Sequence, residues 1–154
     1  MIIGDSSALI TLSIIDRLDL LEKIFKKVYV PQAVYKEVTT INKPQSLELK
    51  EFLKDKVIKV EMDNSFNIGL GDGELEAMAL YKKKKADFLL IDDQRAKRFA
   101  KLNNINTIGS LGVIVLAKEM GLIDSIKADL EKLENSSIFI SSNLIQKILL
   151  KFEE

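Results

Sequence analysis

Acidic side chains stand where apolar runs give out or helices begin. They are Asp5 after MIIG, Glu37 in VPQAVYKEV, Glu74 and Glu76 in GLGDGELEAMAL, and Asp92 and Asp93 at the end of FLLIDD. A carboxylate at the end of an apolar strand is poorly solvated and repels its like neighbours, so several brought together cost stability unless a cation neutralises them. A donor set made only of oxygens suits hard divalent ions such as Mg²⁺ or Mn²⁺. These residues therefore point to a carboxylate cage for metal, and the chemistry such a cage serves best is metal-assisted phosphodiester hydrolysis.

The remaining composition narrows the chemistry further. The 154 residues include no histidine and no cysteine. That removes the Ser-His-Asp triad, a histidine base, an imidazole zinc site, thiol nucleophiles and disulfides. Lys plus Arg and Asp plus Glu both number 23, so the net charge is zero. A nucleic-acid partner must then be held by a local basic patch and by metal, not by a whole-protein field. With 47% hydrophobic residues the chain has enough apolar material for one core, and its length fits a single domain over 1–154. MIIGDSSALITLSIID lacks the basic start of a signal peptide, and no apolar run reaches the roughly 18 residues of a membrane span, so a cytoplasmic protein is expected.

Each residue also has an ordinary structural role. Asp5 by itself reads as a helix N-cap, unless Ser6 or Ser7 takes that role and frees it. Either hydroxyl can instead hold a water at the metal. Glu37, beside the apolar stripe Val34, Val38 and Ile41, reads alone as a solvated glutamate. Glu74 and Glu76 open a helix after Gly69, Gly71 and Gly73, where acids favour the helix dipole. Two apart, they point about 200° away from each other, but in a first turn both can reach one ion. Of Asp92 and Asp93, one is expected to cap the next helix and the other to face the metal, and the sequence does not say which. Arg95 and Arg98 lie just beyond, close enough to touch a phosphate held there, although each alone reads as surface charge.

These residues must be positioned by the elements around them. Ile2–Ile3 reads as a strand ending at Gly4-Asp5, followed by a helix beginning ALITLSII that continues helical over Leu18–Phe25. Lys27–Val30 is a strand stopped by Pro31, which suits the first turn of the helix QAVYKEVTT. An amphipathic helix spans Pro44–Lys54 and a weak strand Val57–Val60. The turn-rich segment 63–71 leads into a helix from about Asp72 to Lys84. Phe88–Ile91 is fully apolar and reads as a central strand. A helix over Asp93–Leu102, a strand over Ile105–Ile108 and a helix ended by Gly121 follow. Ile123–Leu133 is helical, SIFI is extended, and a last helix begins at Asn143. Alternating strands and helices argue for a parallel sheet with helices on both faces, and such sheets bind ligands beyond the carboxyl ends of their strands.

In this order, IIGDSSALI, VPQAVYKEV, GDGELEAMAL and LLIDDQRAKRFA resemble the PIN domain, a nuclease fold, over nearly the whole chain. GELEA is similar to the acidic helix motif of flap endonucleases, and INTIGSLGVIVLAKEMGLI resembles a prokaryotic PIN subfamily akin to the VapC-type toxins. The resemblance implies a three-layer α/β fold and a Mg²⁺- or Mn²⁺-dependent ribonuclease, in which water activated by metal attacks phosphorus in line. It implies Asp5, Glu37, Glu74 and Asp92 or Asp93 as metal-binding acids, with Glu76 as an additional ligand. It further implies a homodimer and, for toxin members, an antitoxin that blocks the site. The Glu/Glu helix pair departs from toxins that carry a single Asp there, and the segment from Ile123 onward is longer than minimal toxins need. Two other readings compete. A PIN-like module that holds RNA or protein without cutting would be expected to lack some of the acids. A phosphotransfer receiver wants a Lys after a later strand, where INTIGS has none.

Overall fold

The computed structural model describes residues 1–40, 42–43, 45–62 and 69–154. Ile41, Pro44 and most of the turn-rich approach to the Asp72 helix lie outside the described residues.

Five short strands form one wholly parallel sheet: β1 (Ile2–Gly4), β2 (Val28–Pro31), β3 (Val57–Ile58), β4 (Phe88–Leu90) and β5 (Thr107–Ile108), in the order β3-β2-β1-β4-β5. Between and after them run α1 (Ser6–Ile14), α2 (Asp19–Phe25), α3 (Gln32–Val38), α4 (Ser46–Leu53), α5 (Asp72–Lys84), α6 (Gln94–Leu102), α7 (Ser110–Glu119), α8 (Lys127–Glu134) and α9 (Ser142–Lys151).

Alternation along the strands separates two cores. Ile2, Val28, Val30 and Leu90 point into the larger one, with side chains from α1–α4 and α7–α9. Ile3, Leu89 and Ile91 point the other way, into a smaller core built mainly with α5 and α6. Helices therefore cover both faces, giving the expected three layers. The inner strands β1 and β4 read as continuous apolar runs because both faces of the sheet are covered there.

Several boundaries differ from expectation. β4 is an interior strand, but the middle position belongs to β1, which is paired on both sides. Pro31 closes β2 and stands at the N-cap of α3 instead of in its first turn. Asp5, not Ser6 or Ser7, occupies the N-cap position of α1. The helix expected from Ile123 begins only at Lys127. SIFI, read as extended, pairs with no strand among the described residues.

The chain runs from β1 to β2 on one side and later crosses to β4 on the other. The order thus reverses at β1, which makes the crevice beyond the carboxyl ends of β1 and β4 the switch point where sheets of this kind bind ligands.

Candidate active site

Asp5 is delivered to that crevice by β1. Its backbone N–H donates to the Leu90 carbonyl at 2.9 Å, which locks it beside the end of β4. Its side chain is only 4% exposed and makes no capping bond to α1. Ser6, the first residue of α1, donates instead to Glu37 Oε2 at 2.8 Å and so ties α1 to α3. Ser7 is exposed on the rim of the same cavity.

The first turn of α5 comes in from the side. Gly73 is buried against these acids: a methyl group on it would meet Glu37 Oε2 at 3.1 Å, Val34 Cγ2 at 3.3 Å and Asp5 Oδ1 at 3.8 Å. A glycine here lets the helix approach closely, since a methyl group would press on the Glu37 carboxylate and Val34. Glu74 curls back so that Oε2 accepts from the Gly71 N–H at 2.9 Å. This is half of a capping box, since a glycine N-cap has no side chain to reciprocate. Glu76 also faces the cavity, so the first turn does present both glutamates to one space.

The two aspartates after β4 part company. Asp93 caps α6 by accepting from the Ala96 N–H at 2.8 Å, and it also lines the cavity. Asp92 turns away and is engaged by Ser110 at the start of α7, accepting from its N–H and its hydroxyl, both at 2.7 Å. The expected division between a capping residue and a site residue does not hold, because Asp93 does both.

Asp5, Glu37, Glu74, Glu76 and Asp93 thus border one cavity of about 1400 Å³. Burial raises the Asp5 pKa to about 7, the Ser6 backbone N–H opposes this, and the nearby charges of Glu74, Glu37 and Asp93 add to it. Four acids from distant parts of the chain therefore share one electrostatic environment. As the side chains lie, no group of three or more acids among the described residues is arranged to hold a metal ion. The chemistry of the donors nevertheless fits a hard divalent cation. All are carboxylate oxygens, and the buried Asp5 stands in a field of like charge that a cation would relieve.

The basic residues Arg95 and Arg98 follow just after the acid pair, on α6. Arg98 donates to the Gln94 carbonyl on its own helix, and the Arg95 guanidinium lies over Gly69; neither lines the cavity. Among the described lining residues the single cation is Lys36, next to Glu37. Phe99 and Asn103 also line it and were missed by the sequence reading. Their signal was present, since Asp93, Ala96, Phe99 and Asn103 follow helical spacing along one face of α6.

A family model described as PIN domain matches residues 1–154, the full length of the chain. Comparison with curated proteins gave no match.

Proposed function

Because this chain belongs to the PIN-domain family, we propose that it is a metal-dependent endoribonuclease that hydrolyses RNA phosphodiester bonds. PIN domains are generally nucleases, so a hydrolase is the coarse reading, and the finer one rests on the site. The observation that carries it is the meeting of Asp5, Glu37, Glu74 and Asp93 around one cavity at the switch point of the sheet.

In this reading Asp5, Glu37, Glu74 and Asp93 hold Mg²⁺ or Mn²⁺, with Glu76 able to join them. The bound ion would activate water and neutralise the departing oxygen. Asp5 gives up its proton on loading, since a carboxylate with a pKa near 7 is only partly ionised at neutral pH. Ser6 fixes the Glu37 carboxylate through its hydroxyl, and the Ala96 N–H fixes that of Asp93. Asp92 is a structural acid here, committed to Ser110. Lys36, in the cavity lining, joins Arg95 and Arg98 as a candidate for phosphate contact.

The likeness of the segment around α7 to VapC-type toxins extends the proposal to a cytoplasmic toxin, acting as a homodimer and silenced by an antitoxin. No helix among the described residues is long and apolar enough to cross a membrane. A second reading is a PIN-like module that binds RNA or protein without cutting. Asp5→Asn separates the two. The expected result is loss of Mn²⁺-dependent cleavage of single-stranded RNA, on the order of a hundredfold or more, in a protein that remains folded by circular dichroism. Full activity in that variant would remove Asp5 from the chemistry, and a wild-type protein that cuts no RNA with Mn²⁺ would favour the binding module.

A further inference from the structure

The cavity is larger than a metal ion and one phosphate require. Its roughly 1400 Å³ exceeds the approximately 300–1,000 Å³ of ordinary small-molecule sites. Only part of its wall is acidic. Elsewhere the lining includes the apolar Leu70, Met78 and Phe99, together with Asn103. A wall like this has no use in holding a cation. The charge balance points the same way. Acids dominate the polar lining and Lys36 is the one described cation in it, so the cavity has little with which to grip an RNA backbone by charge. Beyond Lys36 and a bound ion, an uncharged contact is the further source of affinity this lining offers.

We propose that this apolar wall is a nucleobase subsite, in which the Phe99 ring stacks on an unpaired base of the RNA and the Asn103 amide bonds that base's edge. The inference rests on the ribonuclease reading for the identity of the ligand. Phe99 is half-buried, packed on one side against the smaller core and lining the cavity on the other, which is how a fixed stacking platform is built. Asn103 is anchored as well, its Nδ2 donating to the Phe99 carbonyl at 2.9 Å. One amide N–H and the amide oxygen then remain, a donor–acceptor pair that matches the edge of a base. Stacking is tolerant of sequence because every base has a π-face, whereas edge bonding is not. Phe99 therefore supplies affinity and Asn103 supplies preference. Phe99 is on α6 and Asn103 is its C-cap, while its N-cap Asp93 faces the acid wall, so one helix sets the register between the held base and the scissile phosphate.

The test is fluorescence anisotropy with labelled ten-residue oligo-rA, oligo-rC and oligo-rU on the full chain carrying Asp5→Asn, in Mg²⁺. Phe99→Leu is expected to weaken all three by on the order of tenfold, and Phe99→Tyr to bind as the parent does. Asn103→Leu is expected to compress the differences among the three while changing their mean affinity less. Melting temperatures close to the parent's establish that the variants are folded. Unchanged affinity for all three oligonucleotides in folded Phe99→Leu would overturn the proposal, even where wild-type protein cleaves RNA. Phe99-dependent binding by a protein that never cleaves would keep the subsite and overturn the nuclease reading instead. Absence of measurable binding to any of the three would overturn the subsite outright.

Discussion

Asp5 must be ionised to hold a cation, yet it occupies a place that resists ionisation. Burial is the largest cause, and the charges of Glu74, Glu37 and Asp93 add to it, together carrying the pKa to about 7 from an ordinary 3.8. An acid whose folded pKa is raised binds more protons folded than unfolded between those two values. Stability therefore falls as pH rises from about 4 to about 7 and levels off above that. In EDTA the expected loss is about 4 kcal/mol over that window, read as a falling melting temperature. Asp5→Asn, which cannot ionise, should flatten the slope, and an unaltered slope in that variant would place its origin elsewhere. The sequence made Asp5 a candidate because it ends an apolar run. It did not disclose the burial, which depends on α5 closing over the residue at Gly73. Glu37 shows the same limit. On its own helix it is an ordinary exposed acid, and only Ser6, 31 positions earlier, marks it as part of a site.

At the scale of elements, the end of β4 distributes two adjacent carboxylates between two helices. Successive side chains of an extended chain face opposite ways, so Asp92 meets the start of α7 while Asp93 meets α6 and the cavity. The two are expected to respond oppositely to substitution. Asp92→Ala leaves the buried Ser110 without its acceptor and should cost about 1–3 kcal/mol in urea unfolding, with cleavage retained within a few-fold at a temperature where it is folded. Asp93→Asn keeps a good N-cap and should melt near the wild type while cleaving far less. The reverse pattern would exchange their roles. Gly109 shows how tightly the Asp92 junction is made, since a methyl group there would come within 2.9 Å of Asp92 Oδ1. Sequence periodicity located β4 and α6 well, because both are strongly patterned. It failed at the capping residue, because nothing local says that a cap also faces a crevice formed by β1.

For the molecule as a whole, a cation that binds only the folded state should raise its stability. At a free concentration one hundred times Kd the gain is about 2.7 kcal/mol. Mn²⁺ should thus raise the melting temperature of the wild-type protein at pH 8. The shift should shrink below pH 7, where protons compete for Asp5, and largely vanish in Asp5→Asn. Equal shifts in both proteins would mean that the ion binds elsewhere. The class of fold was legible because strands and helices alternate throughout, while the strand order was not, since pairing β1 with β4 joins segments some 86 positions apart. That order has a consequence for biosynthesis. The first strand to be translated is the middle of the sheet, and one of its two neighbours is β4. A nascent polypeptide cannot complete its acid wall until Asp93 has left the ribosome, so any chemistry that needs all of these carboxylates together has to wait for that point.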